Sequence, residues 1–449
     1  MEKVMQQQDE ILSNTLTLPE ETLFDSISGG GIGTVSRLEN AHSDANVERK
    51  TLLFDCLRYL FQGALDKELS TVLLLMAIQT LGASVNYKVS LTLLTSIGFI
   101  GMILTPITQQ LVNRSRWNSM QVSALYFTLI GIAFCCAAFA TSWAMFFILM
   151  ALARICDKQQ IPLMIDVYCD NYPKVRRGFK VGTALACMPI GGIIFAQCVK
   201  YFWNKNPNHF CYASLLASLL ALFCAICFLK IPTRKIVVAQ YPSLWDNFKW
   251  IARDRLFAAI LFLYSLIAIA NQMTLPLRVE YLANHKHGLD LSYGTILAIF
   301  AVIQPLASVL SGPFWGKLYD HVNLITMRQC VTICFLIGIP LFFATHNFCM
   351  ICLASVLLGI GRSGGVIFWS LWVSDIAPRE KVSEYMSANT AIMGLRDALA
   401  PLLGYVLLER LGPWTVGVIA FVLLAFSLLG FEYLQRPLAL RKCILDFEK

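Results

Sequence analysis

The stretch "GPFWGKLYDHVN" (312–323) sets small and charged residues between two long apolar runs. Gly316, Lys317, Asp320 and His321 are out of place in so apolar a chain unless they form a short connection between two helices that cross a membrane. The composition favours that reading. Of 449 residues, 57% are hydrophobic and 14% charged, whereas water-soluble domains carry about 25% charged residues. Apolar runs of roughly 20 residues recur from residue 69 onward, each close to the length needed to cross a hydrocarbon core of ~30 Å.

Twelve spans are predicted: 69–87, 90–112, 119–140, 143–169, 180–203, 209–229, 257–282, 292–312, 327–345, 348–373, 386–408 and 414–434. Ahead of them, residues 1–50 are polar and read as a flexible cytoplasmic tail, with no cleavable signal peptide. Residues 51–68 have apolar positions at helical spacing but carry Asp55, Arg58, Asp66, Lys67 and Glu68, so they are expected to lie along the membrane surface. The basic connection 230–256 divides the spans into six (69–229) and six (257–434), and 435–449 forms a short tail.

Charge gives the orientation. With the first end inside, the inner segments collect most of the cations, among them Arg114, Arg116, Lys174, Arg176, Arg177, Lys180, Lys317, Arg328, Arg379 and Lys381. The outer segments hold only Lys88, Lys200, Lys205, Arg278, Lys286 and Arg410. By the positive-inside rule this predicts a multi-pass protein of the inner or plasma membrane with both ends cytoplasmic. The net charge of +8 is then a matter of topology and anionic lipid, with no nucleic-acid partner implied.

Equal halves suggest a repeat. "GPFWGKLYDH" (312–321) aligns without gaps on "TPITQQLVNR" (105–114), which pairs Pro313 with Pro106, Leu318 with Leu111 and Asp320 with Asn113. Arg362 follows "LLGIG" as Arg154 follows "LMALA", and "DIAP" (375–378) matches "DNYP" (170–173). A six-helix unit is used twice.

With these residues the chain resembles the major facilitator superfamily from about residue 50 to 435. Gly316, Leu318 and Asp320 match that family's G-x-L-x-D signature between the second and third helices of a half. The first half departs from it, with Gln109 and Asn113 in the glycine and aspartate positions. Arg154 in "RICDKQQIP" matches an arginine of the family's fourth helix, although Asp157 and Lys158 depart from the usual residues beside it. The resemblance implies an all-α fold of twelve transmembrane helices in two pseudosymmetric bundles. It further implies a solute site between the first, fourth, seventh and tenth helices, which here carry Gln79, Arg154, Asp157, Lys158, Asn271, Gln272, Arg362 and Trp369.

The residues themselves point the same way. Arg154 and Arg362 fall in the middle of their spans, where an unpaired charge costs at least ~2.5 to 3.5 kcal/mol and normally faces a water-filled cavity or a partner. A salt-bridge set holding the halves together is the alternative. Gly312 and Gly316 permit close helix packing in lipid. Asp320 is placed to pair with an arginine or to cap a helix N-terminus in one conformation only, making a gate with Asn113 as its first-half counterpart. The bland alternative is a simple helix end. Arg396 and Asp397, adjacent in mid-span, receive no role beyond gating or helix pairing.

No H-E-x-x-H pair, G-x-S-x-G elbow or His/Asp cluster is present, so an enzyme is not expected. The C-x-x-C pairs Cys224/Cys227 and Cys349/Cys352 lie inside apolar runs and read as packing residues, with no metal and no cofactor. The expectation is a monomeric secondary active transporter working by alternating access on a small polar or anionic solute. Coupling to protons through Asp157, or to exchange, is expected. A multidrug efflux antiporter, suggested by "GTALACMPIGG" in the fifth span, and a transporter-like receptor are the alternatives.

Overall fold

A computed structural model describes residues 31–65, 94, 97–115, 117–205, 210–233, 253–283, 289, 291, 295–296 and 299–435. The chain divides into Met1–Arg49 and Lys50–Lys449. Among the described residues the secondary structure is helical, without strands. The helices are α1 (Gly31–Leu65), α2 (Thr105–Arg114), α3 (Ser119–Ala138), α4 (Trp143–Lys158), α5 (Ile161–Asn171), α6 (Arg177–Lys205), α7 (Phe210–Lys230), α8 (Arg255–Ala283), α9 (Gln304–His321), α10 (Leu324–Ala344), α11 (Phe348–Ile376) and α12 (Val382–Tyr433). Seven described helices are long and apolar enough to cross a membrane. The expected span 69–87 and most of the 230–256 connection lie outside the described residues.

Short polar connections start the helices, and the two halves use the same device. Asn118 forms a capping box with Gln121 at α3, and Asn323 accepts from the Thr326 N–H at α10. At the other end, Ser142 accepts from the Met145 N–H at α4 and Asn347 from the Cys349 N–H at α11. Each cap satisfies one of the donors that a helix start leaves open. In α12 the chain turns between its last two crossings at Gly412, whose φ of 78° suits a residue without a Cβ, followed directly by Pro413.

In the first bundle α3 packs on α4 and α7; in the second, α8 packs on α12, and α10 on α11 and α12. Two seams join the bundles, α9 against α6 and α12 against α2 and α5. Large apolar side chains such as Ile132, Ile148, Leu310, Phe314 and Leu429 point outward. In water such a surface would drive aggregation, whereas acyl chains solvate it.

The segment 51–68 differs from its expected place at the membrane surface. Its described part, the end of α1, is inside the first bundle: Asp55 and Arg58 are both 0% exposed. Arg58 donates to Asp55 Oδ1 from Nε (3.0 Å) and Nη2 (2.5 Å), and from Nη1 to Gln62 (2.9 Å) and to Gln160, the residue before α5 (2.8 Å). Its guanidinium also lies 3.8 Å from the Tyr59 ring centroid and 5.1 Å from that of Phe228. Mutual neutralisation one turn apart, completed by polar groups of a neighbouring helix, is what lets these charges enter the core. Residues 31–50, read as flexible tail, are helical as the first part of α1.

Candidate functional site

A cavity of about 390 Å³ lies between the bundles, within the ~300 to 1,000 Å³ range of ligand pockets. From the first bundle, α4 contributes Arg154 and Lys158. From the second come Asn271, Gln272 and Arg278 of α8, Arg328 of α10, Arg362 and Trp369 of α11, and Arg396 and Asp397 of α12. Of the residues predicted to bind solute, Arg154, Lys158, Asn271, Gln272, Arg362 and Trp369 are therefore brought together. Gln79 lies outside the described residues.

Asp157 sits beside this wall. Its Oδ2 accepts from Lys158 Nζ at 2.6 Å and its Oδ1 from Gln62 Nε2 at 3.0 Å. Since Gln62 Oε1 in turn accepts from Arg58, a hydrogen-bonded chain runs from the buried Asp55–Arg58 pair to the cavity.

Three cations of the cavity were not among the expected site residues. Arg278, counted with the outer segments, is 1% exposed; its Nη2 reaches back along α8 to Asn271 Oδ1 (2.8 Å) and Thr274 Oγ1 (2.9 Å). Arg328, counted with an inner connection, is 2% exposed and its guanidinium lies 4.4 Å from the Tyr264 ring centroid and 5.1 Å from that of Phe368. Arg396 and Asp397, given no role beyond gating or helix pairing, form an ion pair with each other at 2.9 Å, since the long arginine side chain folds back on its neighbour. Gln272 Nε2 donates to the other Asp397 oxygen at 3.3 Å. Among the described residues, six cations thus line the cavity against the carboxylate of Asp397, and large apolar side chains such as Phe99, Met164, Tyr264, Phe335 and Trp369 fill much of the remaining wall.

One end of the cavity is bounded by contacts between the bundles, at the end that carries the basic connections. Asp320 of α9 accepts from the backbone N–H of Gly178 (2.6 Å) and Phe179 (2.8 Å) at the start of α6. The helices meet there because Gly312 faces Gly182 and Gly316 faces Gly178; a Cβ on Gly316 would lie 2.6 Å from the Gly178 carbonyl oxygen. On the related seam, Gln109 Nε2 donates to Asn113 Oδ1 (3.2 Å) and to Ser383 Oγ of α12 (2.8 Å), and Thr105 Oγ1 to the Ser387 carbonyl (3.2 Å). Arg379, in the turn before α12, donates to Asp170 and, at 3.4 Å, to Asp166, both on α5. Burial acts to lower the Arg379 pKa, but Cys169 and the two carboxylates outweigh it and hold the pKa above its ordinary value. The four residues expected to gate, Gly312, Gly316, Asp320 and Asn113, all lie at this end.

The Major Facilitator Superfamily profile matches residues 59–304 and 260–447. No curated protein matches the chain at a significant level. Among solved structures, the human organic anion transporter MFSD10 (TETRAN) superposes with a TM-score of 0.68 at 15% identity, covering 86% of this chain and 99% of that one. The proton:xylose symporter XylE superposes at 0.63 with 14% identity, covering 88% and 96%. The major facilitator transporter FucP, in its outward conformation, gives 0.66 with 11% identity, covering 85% and 98%. These similarities establish the twelve-helix, two-bundle fold, and with a profile match along most of its length the chain belongs to the Major Facilitator Superfamily, as a multi-pass membrane protein of the secondary transporter class.

Proposed function

We propose that the chain carries an organic anion through the cavity between its bundles by alternating access. The observation that carries this reading is the charge of the wall, six cations against Asp397 among the described residues, while Asp157 is engaged by Lys158. Arg154 and Arg362 stand on opposite walls, so one carboxylate or phosphate between them would tie the bundles together. Arginine suits this role because its planar fork bonds an oxyanion in a bidentate manner. The apolar wall residues fit an organic body on the anion. The name of the human relative, organic anion transporter, agrees with this by analogy of fold.

Asp157 is the coupling group in this reading. Protonated, it releases Lys158 to the substrate; ionised, it reclaims it. The contacts of Asp320, Gln109 and Arg379 form the gate that must break for the cavity to open at that end. The positive-inside rule makes this the cytoplasmic end, with both termini on the same side, and because one chain supplies both walls of the cavity the protein acts as a monomer in this reading.

Binding of benzoate, benzamide and benzylammonium to the purified full chain in nanodiscs tests the charge claim at nearly constant shape. Benzoate is expected to bind, and Arg362→Lys to weaken it by about 1.5 to 3 kcal/mol, the worth of a charge-assisted hydrogen bond. Preferential binding of benzylammonium, unaffected by substitution of Arg154 or Arg362, would instead support the drug-efflux alternative.

A further inference from the structure

Arg278 and Arg328 are as buried as core residues, and neither forms an ion pair among the described residues. Their Nε atoms, with Nη2 of Arg396, are buried without a hydrogen-bond partner there. A guanidinium taken out of water without a counter-charge is costly, and unsatisfied buried donors in a native structure call for a partner. Both side chains line the cavity, so a bound ligand can supply that partner.

The cations of the second bundle stand at two depths. Arg328 and Arg396 flank the same ring, at 4.4 and 5.5 Å from the Tyr264 centroid. Asp397 offsets Arg396, which leaves the charge of Arg328 uncompensated by any described residue at this level. Farther along α8, the Arg278 guanidinium is held at the level of Asn271 and within electrostatic range of Arg362. Asn271 lies seven residues beyond Tyr264, about 10 Å at 1.5 Å per residue. Between these levels α8 lines the cavity with Ile267 and Ala268, which suit a methylene or aromatic spacer.

Resting on the anion reading above, we propose that the cavity holds two anion subsites in tandem, Arg278 with Arg362 and Arg328 beside Tyr264, and that the preferred substrate is an elongated organic dianion spanning both. A monoanion occupies one subsite and leaves the other guanidinium uncompensated. The second charge of a dianion satisfies it without further ordering of the protein, which is the usual source of gain when two binding groups are joined by a linker that matches their separation.

Affinities of linear dicarboxylates from succinate to sebacate, each against the monocarboxylate of equal chain length, test this on the full chain in nanodiscs. The expected result is a diacid advantage of about tenfold or more, greatest at an intermediate length and falling for the shortest member. Arg328→Gln should lower diacid affinity by a larger factor than monoacid affinity, and Arg328→Lys should restore part of the difference. Monoacids that bind through Arg362 while diacids bind no tighter at any length would overturn the tandem site and leave the anion reading intact. A diacid advantage undiminished by Arg328→Gln would overturn it equally. If no carboxylate of either series binds, the anion reading fails and the tandem site with it. The length series on the unsubstituted chain keeps the proposal falsifiable should the Arg328 variants fold poorly.

Discussion

The carboxylate of Asp320 stands 2.6 Å from the Gly178 N–H nitrogen, so a residue of the second bundle caps a helix of the first. The opening N–H groups of α6 have no partner within their own helix, and the positive end of the helix dipole favours an acid there. In most proteins the cap is supplied by the residue before the helix. Here it comes from α9, and the bond can exist only while the two bundles touch at this end.

Asp320→Asn therefore weakens the joined state while leaving the cavity residues in place. It removes the charge and one of the two acceptors, for a cost of about 0.5 to 2 kcal/mol, the range for loss of a helix cap. Transport is expected to slow more than substrate affinity falls, because a group that favours one conformation acts on the equilibrium between conformations. Comparing initial uptake rates with equilibrium binding checks this, and a change confined to affinity would speak against it. Asn113→Asp, on the related seam, should matter less or add a second latch.

Gly316→Leu tests the seam itself. A Cβ at this position would already meet the Gly178 carbonyl oxygen at 2.6 Å and the Phe179 Cα at 2.9 Å. Both are backbone atoms and cannot swing away, so the leucine should hold α9 and α6 apart. Thiol labelling of a cysteine introduced at Gln109 is expected to rise in this variant, and labelling as slow as in the parent would show that the seam tolerates the side chain.

The pair Asp55 and Arg58 should govern stability. Removing one partner of a buried ion pair leaves a charge without compensation and costs about 3 to 5 kcal/mol. Asp55→Asn should accordingly lower the thermal transition of the detergent-solubilised protein sharply, and replacing both residues by apolar ones of similar size should recover much of the loss. Equal loss in the single and double variants would mean that the hydrogen bonds to Gln160 and Gln62, not the pairing, matter most.

Asp157→Asn separates coupling from carriage. The variant keeps a side chain that can bond Gln62 but can no longer take up a proton and so switch its hold on Lys158. Uptake driven by a pH gradient should disappear while exchange of substrate across the membrane persists. Undiminished pH-driven uptake would remove Asp157 from the coupling scheme.

Much of this was legible from residue patterns and some was not, for physical reasons. Run length and the repeat of "GPFWGKLYDH" on "TPITQQLVNR" suffice for the fold class, because a bilayer sets helix length independently of tertiary detail. Arg154 and Arg362 stand out since a charge in mid-span is costly unless it meets water or a partner. Arg58 does not, because a charged cluster reads as a surface until Asp55, Gln160 and two aromatic rings are seen around it. Arg328 is equally ambiguous: it falls in the second turn after the Asn323 cap, where a long side chain could as well reach back to the interface. Only the Tyr264 and Phe368 rings show that it points inward. The bonds of Arg379 to Asp166 and Asp170 join distant parts of the chain and have no local signature.

The most direct test of the anion pathway is counterflow of labelled benzoate into proteoliposomes preloaded with the unlabelled compound, for the parent chain, Arg154→Gln and Arg362→Gln. Both bundles supply a guanidinium to one cavity, so each substitution alone should reduce saturable uptake by about tenfold or more, equivalent to 1.4 kcal/mol. Counterflow of a neutral or cationic solute at full rate in both variants, with none of benzoate in the parent, would contradict the account.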